Sequence, residues 1–97
     1  MADIGKWDPK DPDEIKDYVF DWENILDGDT ISTSTWSVAS GGAALIINTP
    51  AATNTNTSTK FWASGGTLGV TYQILNRVTT AGGRTYDRTR KLKVKSL

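Results

Sequence analysis

The chain has 97 residues, 37% of them hydrophobic, with no cysteine, no histidine and a formal net charge of zero. That length supports one domain with a modest two-layer core and leaves no room for a second. The missing residue types exclude a disulfide framework, a thiolate metal site, the commonest general base and the commonest zinc or copper ligand.

The charges cancel in sum but not in place. Residues 1–29 hold ten of the eleven acids, against Lys6, Lys10 and Lys16. From Arg77 onward the chain carries Arg77, Arg84, Arg88, Arg90, Lys91, Lys93 and Lys95 against Asp87 alone, and Lys60 is the one charge between the two regions. In closely packed copies, opposite-sign ends favour head-to-tail contacts. The simpler expectation, preferred here, is that the first and last strands pair within one sheet and partly neutralise each other. No apolar run approaches the roughly 20 residues of a membrane span. The opening MADIGKWDPKDPDE lacks the basic-then-apolar order of a secretion signal. The expected setting is therefore the cytosol of the producing cell, without a membrane partner.

Residues 1–10 read as an extended arm, separate from a domain over residues 11–97. Pro9 and Pro12 bias the arm away from helix, and its apolar residues of note are Ile4 and Trp7. Ile4 and Trp7 are the candidate docking residues, because aromatic anchors are favoured at interfaces. Asp11-Pro12-Asp13-Glu14 has the order of a helix start, with Asp11 as N-cap, Pro12 at the first position and Glu14 three residues past the cap. One helical turn at most is expected there. Tyr18, Phe20 and Trp22 then alternate with Val19 and Asp21, a strand pattern whose aromatic stripe belongs in a core. Leu26-Asp27-Gly28-Asp29 is a turn that lacks the ligand ladder and closing glutamate of a calcium loop.

Thr30 to Val38 follows as a Ser/Thr-rich strand with Trp36 and Val38 on one face. Gly41-Gly42 turns the chain into a short apolar strand around Leu45, Ile46 and Ile47. The polar run TPAATNTNTSTK is either a loop or a threonine-rich edge strand. Phe61, Trp62 and Ala63 close another strand before Gly65-Gly66. From Val70 the alternation is clearest: Val70, Tyr72, Ile74, Asn76 and Val78 share one face, and Thr71, Gln73, Leu75 and Arg77 the other. Ala81-Gly82-Gly83 supplies the positive-φ residues of a short hairpin. The return strand places Leu92 and Val94 opposite Lys91, Lys93 and Lys95. Six or seven short strands at this spacing predict an all-β, immunoglobulin-like antiparallel sandwich. Gly69 followed by Tyr72 resembles the tyrosine corner of such folds.

No catalytic residue, cofactor site or metal site is expected. Only carboxylate pairs or a lysine remain for chemistry, and a sandwich of this size has little room for the cleft that paired carboxylates need. No phosphate-binding glycine loop stands between a strand and a helix. The basic run RTYDRTRKLKVK is read as a solvated edge strand guarded by lysines rather than a nucleic-acid surface, because it keeps strand register with Tyr86, Leu92 and Val94.

The segments KDPDEIKDYVFDW, GDTISTSTW, FWASGGTLGVTYQILNRVTTAGGRTYDRT and KLKVK resemble a family of small tailed-bacteriophage proteins described as virion structural or fibre–tail adaptor-like proteins. The resemblance runs from about Lys10 to Lys95. It implies an immunoglobulin-like sandwich acting as a non-enzymatic virion component at the tail or neck, assembled in the host cytoplasm in symmetric multiple copies. Its partners would be tail, portal, fibre or capsid subunits, with Arg84, Arg88 and Arg90 as candidate interface charges. A capsid decoration protein and a carbohydrate-binding module, the latter built on Trp36, Trp62 and Tyr86, are the alternatives.

Overall fold

Alternation of apolar and polar side chains forces each long strand to bury one face, and two sheets meet over those faces. The computed structural model describes residues 5–97. In chain order it contains β1 (Lys16–Asp21), a one-turn helix α1 (Glu23–Leu26), β2 (Ile31–Ser40), β3 (Leu45–Ile47), β4 (Thr53–Asn54), β5 (Ser58–Gly65), β6 (Thr71–Thr80) and β7 (Thr85–Lys93). One sheet runs β1-β5-β3, with β4 also on β5, and the other runs β2-β6-β7. All these pairings are antiparallel. The fold is an all-β sandwich of seven strands. Among the described residues no helix is long and apolar enough to cross a membrane.

The core follows the strand periods. On β6, Tyr72, Ile74, Asn76, Val78 and Thr80 are buried while their neighbours are not. On β5 the inward residues are Thr59, Phe61 and Ala63. Phe61 is the hub: its ring lies 4.4 Å from Trp36, 5.5 Å from Tyr18 and 5.2 Å from Trp7. Burying a side chain of that size contributes about 1.5–3 kcal/mol. A second cluster of Trp22, Leu26, Ile31 and Val78 fills the other end. Tyr72 Oη accepts the Thr67 N–H at 2.8 Å, a tyrosine–backbone tie across the entry to β6. Gly41 makes room for the same ring, for a Cβ there would lie 2.5 Å from Tyr72 Cδ1.

Two expectations need correction. The Asp11–Glu14 segment is a turn, not a helix. Its capping chemistry is nonetheless intact: Asp11 N–H donates to Glu14 Oε1 at 2.8 Å, and Asp13 N–H to Asp11 Oδ1 at 2.9 Å. A capping box is a local hydrogen-bond exchange, and without an apolar helical stripe behind it no helix propagates. The helical turn forms at Glu23–Leu26 instead, where Asp21 Oδ1 accepts the Glu23 N–H and burial of Leu26 holds it. The first and last strands do not share a sheet, since β1 pairs with β5 and β7 with β6. Long-range pairing is decided by which faces bury together, and terminal charge does not set it.

Residues 5–10 lie along the open edge of β7 in parallel bridges, Lys6 to Lys91 and Lys10 to Val94. Trp7 N–H donates to Lys91 O, Lys91 N–H to Gly5 O and Lys10 N–H to Lys93 O, all between 2.9 and 3.0 Å. The polar run at residues 48–59 holds the two-residue β4 and the first two residues of β5, and β3 and β4 border β2 on the opposite side of the sandwich.

Candidate interaction surface

The chemistry of this surface begins with the seam between β1 and β7. Both are edge strands, and an open edge presents unpaired backbone groups. The arm closes that seam from both sides. Its backbone bonds to β7, and Trp7 Nε1 donates to Val19 O on β1 at 3.2 Å. The Trp7 ring packs inward against Tyr18, Trp36 and Phe61. Trp7, expected to anchor a partner, is thus half-buried in its own domain, and Ile4 lies outside the described residues.

Lys10 completes the closure. It is fully buried, and its Nζ donates to Gly65 O at 2.8 Å and Asp11 O at 2.9 Å. Desolvation pushes its pKa below the ordinary lysine value, against the raising effect of Glu14, Asp11 and Asp13. Composition alone would have placed Lys10 in solvent. The signal for its burial is the pair of backbone carbonyls that only the folded chain brings together.

The three arginines do not form one patch. Arg84, at the β6–β7 hairpin, bonds through Nη1 to Asp29 Oδ2 at 3.0 Å. Asp29 also accepts the Thr30 and Gly82 N–H groups. The Thr80 hydroxyl and those donors hold its carboxyl at about 2, well below the usual carboxylate range. The Asp29 carboxylate thus clasps the turn to the β6–β7 hairpin. Arg88 and Arg90 lie in register with the inward residues Asn76 and Ile74, and their guanidinium groups cover the seam. Arg88 sits 5.8 Å from the Trp22 ring; Arg90 sits 5.5 Å from Trp7 and 5.2 Å from Phe20. Such stacking uses the cation as a lid on aromatic surface.

The outward face of β7 is different. Lys91 and Lys93 are exposed and stand opposite Gln73 and Thr71 on β6, with no acid in register. Together with Lys6, Trp7, Asp8 and Pro9 they border an open groove of about 480 Å³. On the same face Arg77 and Asp87 form a two-bonded pair at 2.7 and 2.8 Å. That pair lowers the Asp87 pKa and raises that of Arg77, but water screens so exposed a contact. Among the described residues no group of three or more acidic, histidine or cysteine side chains is placed to hold a metal ion.

Trp36 is buried, Trp62 stands on the outer face of β5, and Tyr86 packs toward Trp22. The three aromatics therefore point to three different places and build no common platform.

A comparison with protein-family models matches residues 10–93 to the family described as "Podophage GP4 fiber-tail adaptor protein gp77". The chain belongs to that family. The match starts at buried Lys10 and ends at Lys93, so it takes in every strand of the fibre–tail adaptor fold seen here. No curated protein matches the chain.

Proposed function

We propose that this chain is a non-enzymatic virion protein that joins the tail to fibres or other appendages, in symmetric multiple copies assembled in the host cytoplasm. The family match over residues 10–93 carries the reading. The disposition of charge supports it, for the buried or clasped groups Lys10, Asp29 and Arg84 are committed to holding the fold. The outward features include Lys91 and Lys93 on a sheet face and a groove at the seam. Surfaces held on regular strands suit contact between virion subunits, where many weak interfaces act together. The Tyr72–Thr67 tie supports an immunoglobulin-like lineage for the sandwich.

The test is a phage in which this gene is silenced and then supplied in trans. Heads and tails are expected to form, fibres to be missing from the silenced particles, and fibre attachment to return with the supplied chain. Mass spectrometry of intact particles is expected to count about a dozen copies or fewer, as a tail or neck ring requires. Hundreds of copies, with fibres still attached in their absence, would replace this reading with capsid decoration.

A further inference from the structure

From Thr30 to Thr59 the chain carries no charged residue. The fold gathers that stretch on one side of the sandwich, where β2 ends one sheet and β3 and β4 end the other. Depletion of charge marks the centre of a protein interface better than bulk apolar content does.

The strand edges are not protected alike. An open edge invites pairing with another chain, and folds blunt it with charge, short strands or a covering segment. On β7 the arm covers the edge, and Lys91 and Lys93 flank it. β1 carries exposed Asp17 and Asp21 and gives its Val19 carbonyl to Trp7. β3 and β4 have only three and two residues. β2 has ten, with no charge and no proline. Register shifts at both its ends leave Thr33–Val38 as a regular run.

The hydrogen-bond pattern tells which backbone groups of that run are open. Lys91 gives its N–H and its carbonyl to the arm, so odd-numbered residues of β7 face outward and even-numbered ones face β6. The register then turns the odd-numbered residues of β6 toward β2, where Thr79, Arg77 and Leu75 meet Thr33, Thr35 and Ser37. The bond from Asn76 Nδ2 to Thr35 O agrees, for that carbonyl faces β6. Ser34, Trp36 and Val38 therefore aim their N–H and C=O groups the other way. Among the described residues no backbone bond outside the β2–β6 ladder reaches those groups. The Ile31 N–H before them is already taken, by Asn56 O at 2.9 Å. Past Val38 the edge opens into a groove of about 540 Å³ bordered by Ala43 and Leu45.

We propose that the Thr33–Val38 edge pairs antiparallel with the same edge of a second copy, joining two three-stranded sheets into one continuous sheet. A twofold axis through the contact sets Ser34, Trp36 and Val38 of each copy against the same three residues of the other, so each edge satisfies the other. A foreign segment would have to be ordered as it bound. A second copy brings a folded, uncharged edge of matching length, with no like charges to repel. Each copy has one such edge, so association stops at two. The inference stands apart from the adaptor reading, since it concerns the purified chain. A contact of this extent belongs to the weak class, with a dissociation constant on the order of 1–100 µM. With no charge at its centre, that constant changes little with salt.

Sedimentation equilibrium of the whole chain from about 1 µM to about 1 mM is expected to show monomer giving way to dimer. Amide hydrogen exchange read by NMR locates the contact. The Ser34, Trp36 and Val38 N–H groups are expected to exchange at least about threefold more slowly at about 1 mM than in a dilute sample, while the Ile31 N–H keeps its rate. Val38→Pro removes a donor that β6 does not use and is expected to weaken dimerisation at least about tenfold. Ser37→Lys, at an exposed side chain, is expected to weaken it at least about threefold. Circular dichroism checks that both variants keep the β fold; if the proline variant does not, Ser37→Lys decides. A chain that stays monomeric throughout, a polymer that grows past two copies, dimers whose protected amides lie elsewhere, or folded variants that dimerise like the wild type would each overturn the proposal.

Discussion

Trp22 Nε1 donates to Asn76 Oδ1 at 2.9 Å, joining the end of β1 to the middle of β6 across the interior of the sandwich. The bond sits in a buried network. Thr59 Oγ1 on β5 accepts from the same indole at 3.1 Å and donates to Asn76 Oδ1 at 2.6 Å. Asn76 Nδ2 in turn donates to Ser34 Oγ and Thr35 O on β2, both at 2.9 Å. One asparagine thus ties both sheets together, with both ends of its amide satisfied.

Asn76→Ala is therefore expected to destabilise the domain by about 2–4 kcal/mol, because it opens a void and leaves the Thr35 carbonyl short of a donor. Urea denaturation followed by tryptophan fluorescence reads the loss. Asn76→Asp is expected to be worse than the alanine, since a carboxylate offers no donor to Thr35 O and brings a charge into a buried site.

Tyr18 is the opposite case. Its hydroxyl is buried without a hydrogen-bond partner among the described residues. Burial first, then Glu14, Asp8 and Asp17, push its pKa up to about 12 from 10.0. The folded state thus keeps the proton through a range where the unfolded chain loses it, so this group's contribution to stability falls as pH rises from about 10 to about 12. Tyr18→Phe is expected to be neutral or stabilising at pH 7, within about 1 kcal/mol, since it deletes a polar atom that has no bond to lose. It is also expected to flatten the alkaline limb of the stability profile. A large loss of stability at neutral pH would refute the assignment.

Asp29 contributes to the acid limb. Its folded pKa of about 2 lies below the ordinary 3.8, so its stabilising contribution is complete above that value and is lost as pH falls toward 2. Asp29→Asn is expected to lower the urea midpoint at pH 7 and to weaken the dependence of that midpoint on pH between 4 and 2. The comparison requires both proteins titrated in the same buffers; parallel curves would show that Asp29 is not the group responsible.

The arm can be tested by truncation. Removing residues 1–9 deletes Trp7 and its place among Tyr18, Trp36 and Phe61, and uncovers the β1–β7 seam. The truncated domain is expected to be about 2–4 kcal/mol less stable than the full chain, as for removal of a large aromatic from a core. Trp7→Ala alone is expected to account for most of that difference. A truncated domain as stable as the full chain would mean that the arm is an independent appendage.

Gly41→Ala tests the close approach at Tyr72. The position has φ +114 and a Cβ would press on the ring at 2.5 Å, so both backbone and packing oppose the change. A loss of about 2 kcal/mol or more is expected by thermal or urea unfolding. Gly42→Ala, where nothing lies within 4 Å, is the control that carries backbone strain alone.

Most strands, and the inward faces of the longest, are legible in the chain itself, because alternation is a property of adjacent residues; the run at residues 48–59 is not. Val70 to Val78, Tyr18 to Trp22 and the Ala81–Gly83 hairpin are legible for that reason. The family resemblance also rests on such local segments. Tertiary structure alone decided which edges meet: that β1 joins β5, that the arm lies parallel on β7, and that Trp7 turns inward. Those choices depend on contacts between residues distant in the chain, and no periodicity encodes them. Lys10 is the sharpest instance. Its charge and its proline neighbours mark it for solvent, and only the folded backbone offers the carbonyls of Asp11 and Gly65 that make its burial tolerable.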